Sequence, residues 1–157
     1  MLNLDKIGEV ELQTTYYNAI LSEIIANRNI ALRWANKSSS EEESDIQPDA
    51  FISTLIQHDF GEVKPGNSST TKNFVCTDIL RLGISSKRAI YKWHLSGCLS
   101  FMINGFYISF FVVRKQNKHL YTMTEIGAMA VASSPSELHS FASLKNLNML
   151  SHIGHCL

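Results

Sequence analysis

The sequence predicts one domain of the α/β class, spanning residues 1–157. Its length is typical of one domain, and 45% of its residues are hydrophobic, which is enough for a core without disulfides or structural metals. Segments with helical and with strand periodicity alternate along the chain, as they do in α/β proteins. The three cysteines form no CxxC pair and indicate reduced thiols, so we expect an intracellular protein, nuclear or cytoplasmic.

The first predicted elements are a helix and a short strand. Apolar residues recur at i, i+3 and i+4 spacing, which predicts an amphipathic helix over residues 9–27. Ile30–Trp34 has the composition of a short strand. Residues 36–47, with the sequence NKSSSEEESDIQ, are polar and acidic without periodicity, and they predict a mobile acidic loop.

Two strands and a second helix are predicted next. Pro48–Leu55 has the pattern of a strand that opens with proline, at a position where no backbone N–H is needed. Phe60–Lys64 predicts another strand, which Pro65-Gly66 ends. The apolar positions from residue 73 to about residue 95 predict a helical segment that a break at Gly83 could divide.

A β-hairpin is predicted in the second half of the chain. The β-rich runs Leu99–Ile103 and Phe106–Val113 flank Asn104-Gly105, which is a strong short-range signal for a hairpin. The same signal interrupts the most apolar run of the sequence, residues 98–113. That run is also shorter than the ~20 residues of a membrane-spanning helix, so we expect no membrane association.

The last predicted elements are a strand over residues 119–131 and a C-terminal helix. Ser134 suits a helix N-cap, Pro135 the first helical position and Glu137 the first turn, and the helix is expected to run to about His152. Leaving out the first short strand, the predicted order is α-β-β-α-β-β-β-α. We expect a central mixed β-sheet flanked by helices.

Two carboxylates and a lysine are expected to converge on one face of the paired strands, near the strand ends. If the hairpin closes symmetrically around residues 55–56, Asp49 and Glu62 stand opposite each other on one face, and Lys64 shares that face. A wider turn at residues 57–59 would shift this register. Neighbouring carboxylates repel unless a cation lies between them, and Mg²⁺ binds one or two carboxylates while it keeps water ligands. This spacing therefore indicates a site for Mg²⁺ (or Mn²⁺).

The zero net charge conceals a division between an acidic and a basic part. Residues 1–63 hold eleven acidic and four basic side chains, whereas residues 64–157 hold ten basic and three acidic ones. Solvated surfaces arranged by chance would give such a division. A carboxylate site that holds a cation beside a basic surface that holds phosphates would also give it.

The pattern Pro48-Asp49 followed by Gly61-Glu62-Val63-Lys64 resembles the signature of the PD-(D/E)XK nuclease superfamily. The resemblance implies a restriction endonuclease-like core of the order α-β-β-β-α-β. Further stretches are similar to a group of fungal proteins with this domain, and together they extend from about Glu11 to Leu150. They are Glu11–Tyr16, Leu32–Trp34, Asp78–Gly83, Ser86–Ile90, Phe106–Phe111 and Leu120–Ile126.

The resemblance also implies a role for each matching residue. Asp49 and Glu62 become metal ligands, Lys64 the catalytic lysine, and Glu11 a further catalytic carboxylate on the first helix, for which Glu23 is the substitute if the helix is rotated. The implied activity is that of a metal-dependent endonuclease, a phosphodiesterase that cuts nucleic acid and leaves a 5′-phosphate, with DNA as the expected substrate. The residues expected to bind nucleic acid are Lys72, Lys87, Arg88 and Lys92. Cutting two strands would favour a homodimer.

Three other interpretations stay open at this point. A helix-turn-helix can be drawn over Thr77–Trp93 with its turn at Gly83, which would make the protein a DNA-binding regulator. A nuclease-like domain without catalytic activity could serve as a binding or interaction module. His152, His155 and Cys156 could belong to a zinc site, although the sequence offers no clear fourth ligand.

Overall fold

The computed structural model describes residues 6–25, 31–34, 48–53, 58–66 and 72–156. These residues form a mixed α/β domain around a six-stranded sheet of strand order β1-β2-β3-β4-β5-β6. The strands are β1 Ala31–Trp34, β2 Ala50–Ser53, β3 His58–Lys64, β4 Gly97–Asn104, β5 Tyr107–Lys115 and β6 Tyr121–Ala130. Strands β3 and β4 are parallel and the other neighbours are antiparallel, so the sheet is mixed as predicted.

The N-terminal helix is confirmed over its described part, with an irregularity that the sequence did not predict. It consists of α1 Glu9–Glu11, a π-helical segment Leu12–Tyr17 and α2 Asn18–Ile25. The π-helical segment buries Leu12, Gln13 and Tyr17. Because π-helical bonds run from i to i+5, this segment turns less per residue than an α-helix.

Helix α3, Lys72–Trp93, connects the parallel strands β3 and β4. It continues through Gly83 as one helix, so the break that the sequence left possible there does not occur. In the described part of the chain, no helix has both the length and the apolar character that a membrane span requires.

The predicted order of elements and the predicted C-terminal helix both need correction. The order α-β-β-α-β-β-β-α is one strand short, because Ala31–Trp34 pairs with β2 as a strand of the sheet. The C-terminal helix is divided into a 3₁₀ turn at Pro135–Glu137, α4 Leu138–Phe141 and α5 Leu144–Cys156. Ser134 precedes the 3₁₀ turn without a side-chain cap bond. The loop predicted over residues 36–47 lies outside the described residues.

Helices pack on both faces of the sheet and enclose two cores. The N-terminal helix and α5 cover one face, where Leu12, Tyr17, Phe101 and Ile153 are buried together. Helix α3 covers the other face through Leu82, Ala89 and Ile90, which pack on Met102 and Phe111. The side chains alternate along β4, so that Phe101 and Ile103 face the first core whereas Ser100, Met102 and Asn104 face α3.

The hairpin between β4 and β5 is confirmed, with its turn one residue later than predicted. Asn104 pairs with Tyr107, so Gly105 and Phe106 are the central residues. Gly105 has φ 59°, which suits the glycine at the first central position of a type II′ turn. The turn is bonded to the end of β3, since the Gly105 amide donates to the Lys64 carbonyl at 2.8 Å.

Candidate functional site

Asp49 and Glu62 stand opposite each other, in the register that the sequence predicts. The pairs Ala50↔Gly61 through Ser53↔His58 fix this register, and Asp49 lies one residue before β2. Its Oδ2 accepts the backbone N–H of Val63 at 2.9 Å. This hydrogen bond links the residue before β2 to β3, one position beyond the end of the strand pairing, and it holds the Asp49 carboxylate beside Glu62.

The Glu62 side chain is buried in an environment that disfavours its charge. Only 2% of the residue is exposed. Burial, the carboxylates of Asp49 and Asp78 and a hydrogen bond with Asp49 raise the pKa of Glu62 from its ordinary 4.5 to about 9, although Lys64 acts in the opposite direction. Its Oε1 is buried without a hydrogen-bond partner. With no cation at the site, Glu62 therefore keeps its proton at neutral pH.

Lys64 lies on the same face of β3 as Glu62 and contacts carboxylates from two helices. Its Nζ lies 3.4 Å from Oδ2 of Asp78 on α3 and 3.6 Å from Oε1 of Glu9 on α1. Burial lowers the pKa of Lys64, but the negative charges of Asp78, Glu9 and Asp49 together raise it by more than burial lowers it. The pKa of Lys64 therefore lies above its ordinary value. Lys64 is therefore an ammonium ion, suited to stabilising negative charge and not to removing a proton.

The carboxylate that the first helix contributes to this cluster is Glu9, whereas the sequence predicted Glu11. Glu9 shares a helical face with the buried residues Leu12 and Gln13, three and four positions later. Glu11 is exposed, and Glu23, its predicted substitute, is an exposed residue of α2. Among the glutamates of the N-terminal helix, it is Glu9 whose carboxylate lies within ion-pair distance of Lys64, at 3.6 Å.

Asp78 belongs to the cluster but was not predicted as a site residue. Its side chain is 3% exposed, and its Oδ1 accepts a hydrogen bond from Nη1 of Arg81 at 3.1 Å. The sequence contains a signal for it, because Asp78 is spaced three residues after Val75 and four before Leu82, within the stripe that faces the sheet. An acidic residue in an apolar stripe needs a buried partner, and here the partners are Lys64 and Arg81.

Three buried side-chain oxygens of the described residues have no hydrogen-bond partner, and all three belong to this region. They are Oε1 of Glu62, Oδ2 of Asp78 and Oδ1 of Asn104. Asn104 is next to Lys64 in the parallel register and faces α3. Oδ2 of Asp78 has the Lys64 ammonium at 3.4 Å as its ion-pair partner. Oε1 of Glu62 and Oδ1 of Asn104 are unpaired, and because unpaired buried acceptors are costly, these two oxygens indicate a place where a cation or a donor is expected.

The charges of the cluster fit a divalent cation. Four carboxyl groups (Glu9, Asp49, Glu62 and Asp78) lie near the Lys64 ammonium, and the half-exposed Arg81 pairs with Asp78. Asp49 and Glu62 would be the ligands, since two carboxylates are sufficient for Mg²⁺ when water completes its coordination. Within the described residues, however, no group of three or more His, Cys, Asp or Glu side chains has the arrangement of a metal site. His152 and His155 are among the described residues and belong to no such group, whereas the Cys156 side chain lies outside the described part of the chain.

The basic residues predicted to bind nucleic acid lie on α3. Lys87, Arg88 and Lys92 are exposed, and Lys72 is the first residue of the helix, with its side chain outside the described part. Nζ of Lys87 lies 5.5 Å from the centroid of the Tyr121 ring, and Nζ of Lys92 lies 5.2 Å from that of Trp93. The one acidic residue of α3, Asp78, is buried, so the exposed charges that the structure describes on this helix are all basic, with apolar side chains such as Leu80 and Tyr91 exposed beside them. Its continuity through Gly83 leaves no turn for a helix-turn-helix.

Comparison with known proteins gives no match: no family model, no curated protein and no solved structure is significantly similar to this chain.

Proposed function

We propose that this protein is a metal-dependent nuclease that hydrolyses phosphodiester bonds of nucleic acid, with DNA as the substrate. The observation that carries the proposal is the placement of Asp49 opposite Glu62 with Lys64 on the same face. The unpartnered buried oxygen of Glu62 supports it, because a hard cation would supply the missing interaction.

A restriction endonuclease-like core of the PD-(D/E)XK type is part of the proposal. The chain from α1 to β4 has the order α-β-β-β-α-β, counting the N-terminal helical segments as one helix, and this is the order that the resemblance implies. Pro48-Asp49 and Glu62-Val63-Lys64 lie on the paired segments at β2 and β3. This agreement supports the proposed relationship to the PD-(D/E)XK superfamily, whose other basis is the pattern of Pro48-Asp49 and Glu62-Val63-Lys64.

Each residue of the cluster has a proposed task. Asp49 and Glu62 would hold Mg²⁺ or Mn²⁺, an ion that lowers the pKa of bound water and neutralises charge growing on phosphorus. Lys64, held as an ammonium ion, would stabilise negative charge on the phosphate oxygens in the transition state. The basic residues of α3 (Lys72, Lys87, Arg88 and Lys92) would bind the backbone phosphates.

A second candidate is a catalytically silent nuclease-like module that binds nucleic acid. It is favoured by the observation that no third metal-ligating side chain joins Asp49 and Glu62 in a recognisable metal group among the described residues. Such a module would use the basic surface of α3 without turnover.

Cleavage assays with and without metal distinguish the two candidates. Purified protein is incubated with supercoiled plasmid and with labelled single strands in Mg²⁺, Mn²⁺ or EDTA, alongside Lys64→Ala and Glu62→Gln. Lys118→Ala, which removes an exposed lysine far along the chain, is the matched control. A nuclease cuts only with metal, loses activity in both site variants and keeps it in the control. Binding that is retained in EDTA, without cutting under any condition, would support the silent module.

A further inference from the structure

The Lys64 side chain is held between two layers of the fold. A lysine has a long flexible stem, so its ammonium group acts at a defined point only when other groups restrain it. The restraints here are Asp78 from α3 at 3.4 Å and Glu9 from α1 at 3.6 Å. The two carboxylates differ in how firmly they themselves are fixed.

Asp78 is the better fixed of the two. Its side chain is 3% exposed, compared with 34% for Glu9. Arg81 holds its other oxygen at 3.1 Å. Asp78 also lies inside a helix of 22 residues that packs on the sheet through Leu82, whereas Glu9 is the first residue of α1. The position of the Lys64 ammonium therefore depends mainly on Asp78.

Fold stability alone does not require an ion pair at position 78. The position lies in the apolar stripe of α3, and replacing a buried ion pair by apolar side chains of similar size is often neutral or stabilising. Both oxygens of Asp78 are committed to cationic partners, Oδ2 to the Lys64 ammonium at 3.4 Å and Oδ1 to Arg81 at 3.1 Å. A buried charge that the fold does not require, aimed at the lysine of the candidate site, indicates a functional task.

We propose that Asp78 is the positioning residue of Lys64, and that it keeps the ammonium group beside the Asp49 and Glu62 carboxylates. The inference rests on the proposed nuclease function. It names a residue outside the Pro-Asp and Glu-Val-Lys segments, and it assigns to Asp78 no contact with metal or substrate. Arg81 assists by holding the Asp78 carboxylate in its orientation.

The test compares Asp78→Asn, which is nearly isosteric, with Asp59→Asn. Asp59 is a matched control because it is a buried carboxylate of the same strand as Lys64, where it accepts the Leu99 amide N–H at 2.8 Å. The kinetic readout is kcat and KM for metal-dependent cleavage. We expect kcat to fall about 10–100-fold in Asp78→Asn with KM changed less than about threefold, which is the effect of misplacing a catalytic group. Asp59→Asn should keep the kcat of the parent.

Two further readouts separate positioning from other roles. Isothermal titration with Mn²⁺ should give Asp78→Asn the same Kd as the parent within about threefold, whereas Glu62→Gln loses binding, since Asp78 is not a ligand. Nitrogen-15 relaxation of the Lys64 ammonium group should show a restrained group in the parent and a mobile one in Asp78→Asn. If Asp78→Asn does not fold by circular dichroism, Arg81→Gln replaces it and should show a smaller change of the same kind.

The outcomes distinguish this inference from the nuclease proposal. Cleavage by the parent together with unchanged kcat in Asp78→Asn overturns the positioning role and leaves the nuclease intact. Loss of Mn²⁺ binding in Asp78→Asn also overturns it, because Asp78 would then be a ligand. Absence of cleavage by the parent sinks the nuclease proposal, and the relaxation of Lys64 still decides whether Asp78 positions the lysine.

Discussion

Asp49 accepts the backbone N–H of Val63 at 2.9 Å, although Asp49 lies outside the strand that pairs with β3. The side chain thus replaces a backbone carbonyl at the end of the ladder. The same hydrogen bond holds the Asp49 carboxylate opposite Glu62. It therefore both closes the end of the β2–β3 pairing and orients a residue of the candidate site.

We expect Asp49→Ala to destabilise the fold by about 1–3 kcal/mol, because the Val63 amide would lose its acceptor in a part-buried place. Asp49→Asn keeps an oxygen at that position and should cost less. Urea unfolding at pH 5, where Glu62 is protonated in the folded protein, measures both variants. Equal stability of the alanine variant and the parent would show that the bond contributes nothing.

Gly61 is expected to tolerate no side chain. A Cβ at this position would lie 2.1 Å from Cζ of Phe101, whose ring is fully buried. That ring is confined by Phe110 and Trp34, with ring centroids 6.5 Å away in each case, so it has little room to move. Gly61→Ala should therefore cost about 1–3 kcal/mol or more through overpacking.

Gly8→Ala is the control for Gly61→Ala, since nothing lies within 4 Å of a Cβ at position 8. Its unfolding midpoint in urea should stay close to that of the parent. If Gly61→Ala is as stable as Gly8→Ala, the Phe101 ring can move aside at little cost in free energy and the prediction is wrong.

The sequence predicts the β2–β3 hairpin and its Asp49–Glu62 register well. The alternation of side chains and the short connection between the two strands leave few ways to pair them. The end of that hairpin carries most of the candidate site. The hairpin signal at Asn104-Gly105 is equally local, and the structure moves the turn by only one residue.

Features that depend on tertiary contacts were not predictable in the same way. The π-helical segment Leu12–Tyr17 breaks the 3.6-residue period of the N-terminal helix, and the carboxylate beside Lys64 is that of Glu9, two residues before Glu11. Asp78 carries a charge in an apolar stripe, and its pairing with Lys64 depends on how α3 packs against the end of β3. The division between α4 and α5 likewise has no proline or glycine to announce it in the sequence.

Gly83→Ala should stabilise the protein by about 0.5–1 kcal/mol. Gly83 lies in the interior of α3, where alanine is the better helix former, and a Cβ would meet only Sδ of Met123 at an ordinary 3.5 Å. Thermal unfolding measures the change. A turn at Gly83, as a helix-turn-helix requires, would make the same substitution destabilising, so a lower melting temperature would restore the regulator interpretation.

Addition of Mg²⁺ at pH 8 should stabilise the parent and leave Glu62→Gln unchanged. A ligand that binds only the folded state contributes about 1.4 kcal/mol when its free concentration is ten times Kd. Glu137→Gln, which alters an exposed carboxylate bonded to Ser133, should respond as the parent does. If Mg²⁺ stabilises Glu62→Gln as much as it stabilises the parent, the ion binds at another site.

The stability of the protein in EDTA should fall as pH rises from about 5 to 9, because of Glu62. Its pKa is about 9 in the folded protein, raised mainly by burial, and near 4.5 when unfolded, so the folded state holds a proton that the unfolded state releases over this range. The stabilisation is therefore complete below pH 4.5 and is lost as pH approaches 9, with a slope of at most about 1.4 kcal/mol per pH unit. Glu62→Gln removes the titrating group and should flatten this slope in urea unfolding curves measured at each pH. A parent protein whose unfolding free energy stays constant over the same range would show that Glu62 is already ionised without a cation.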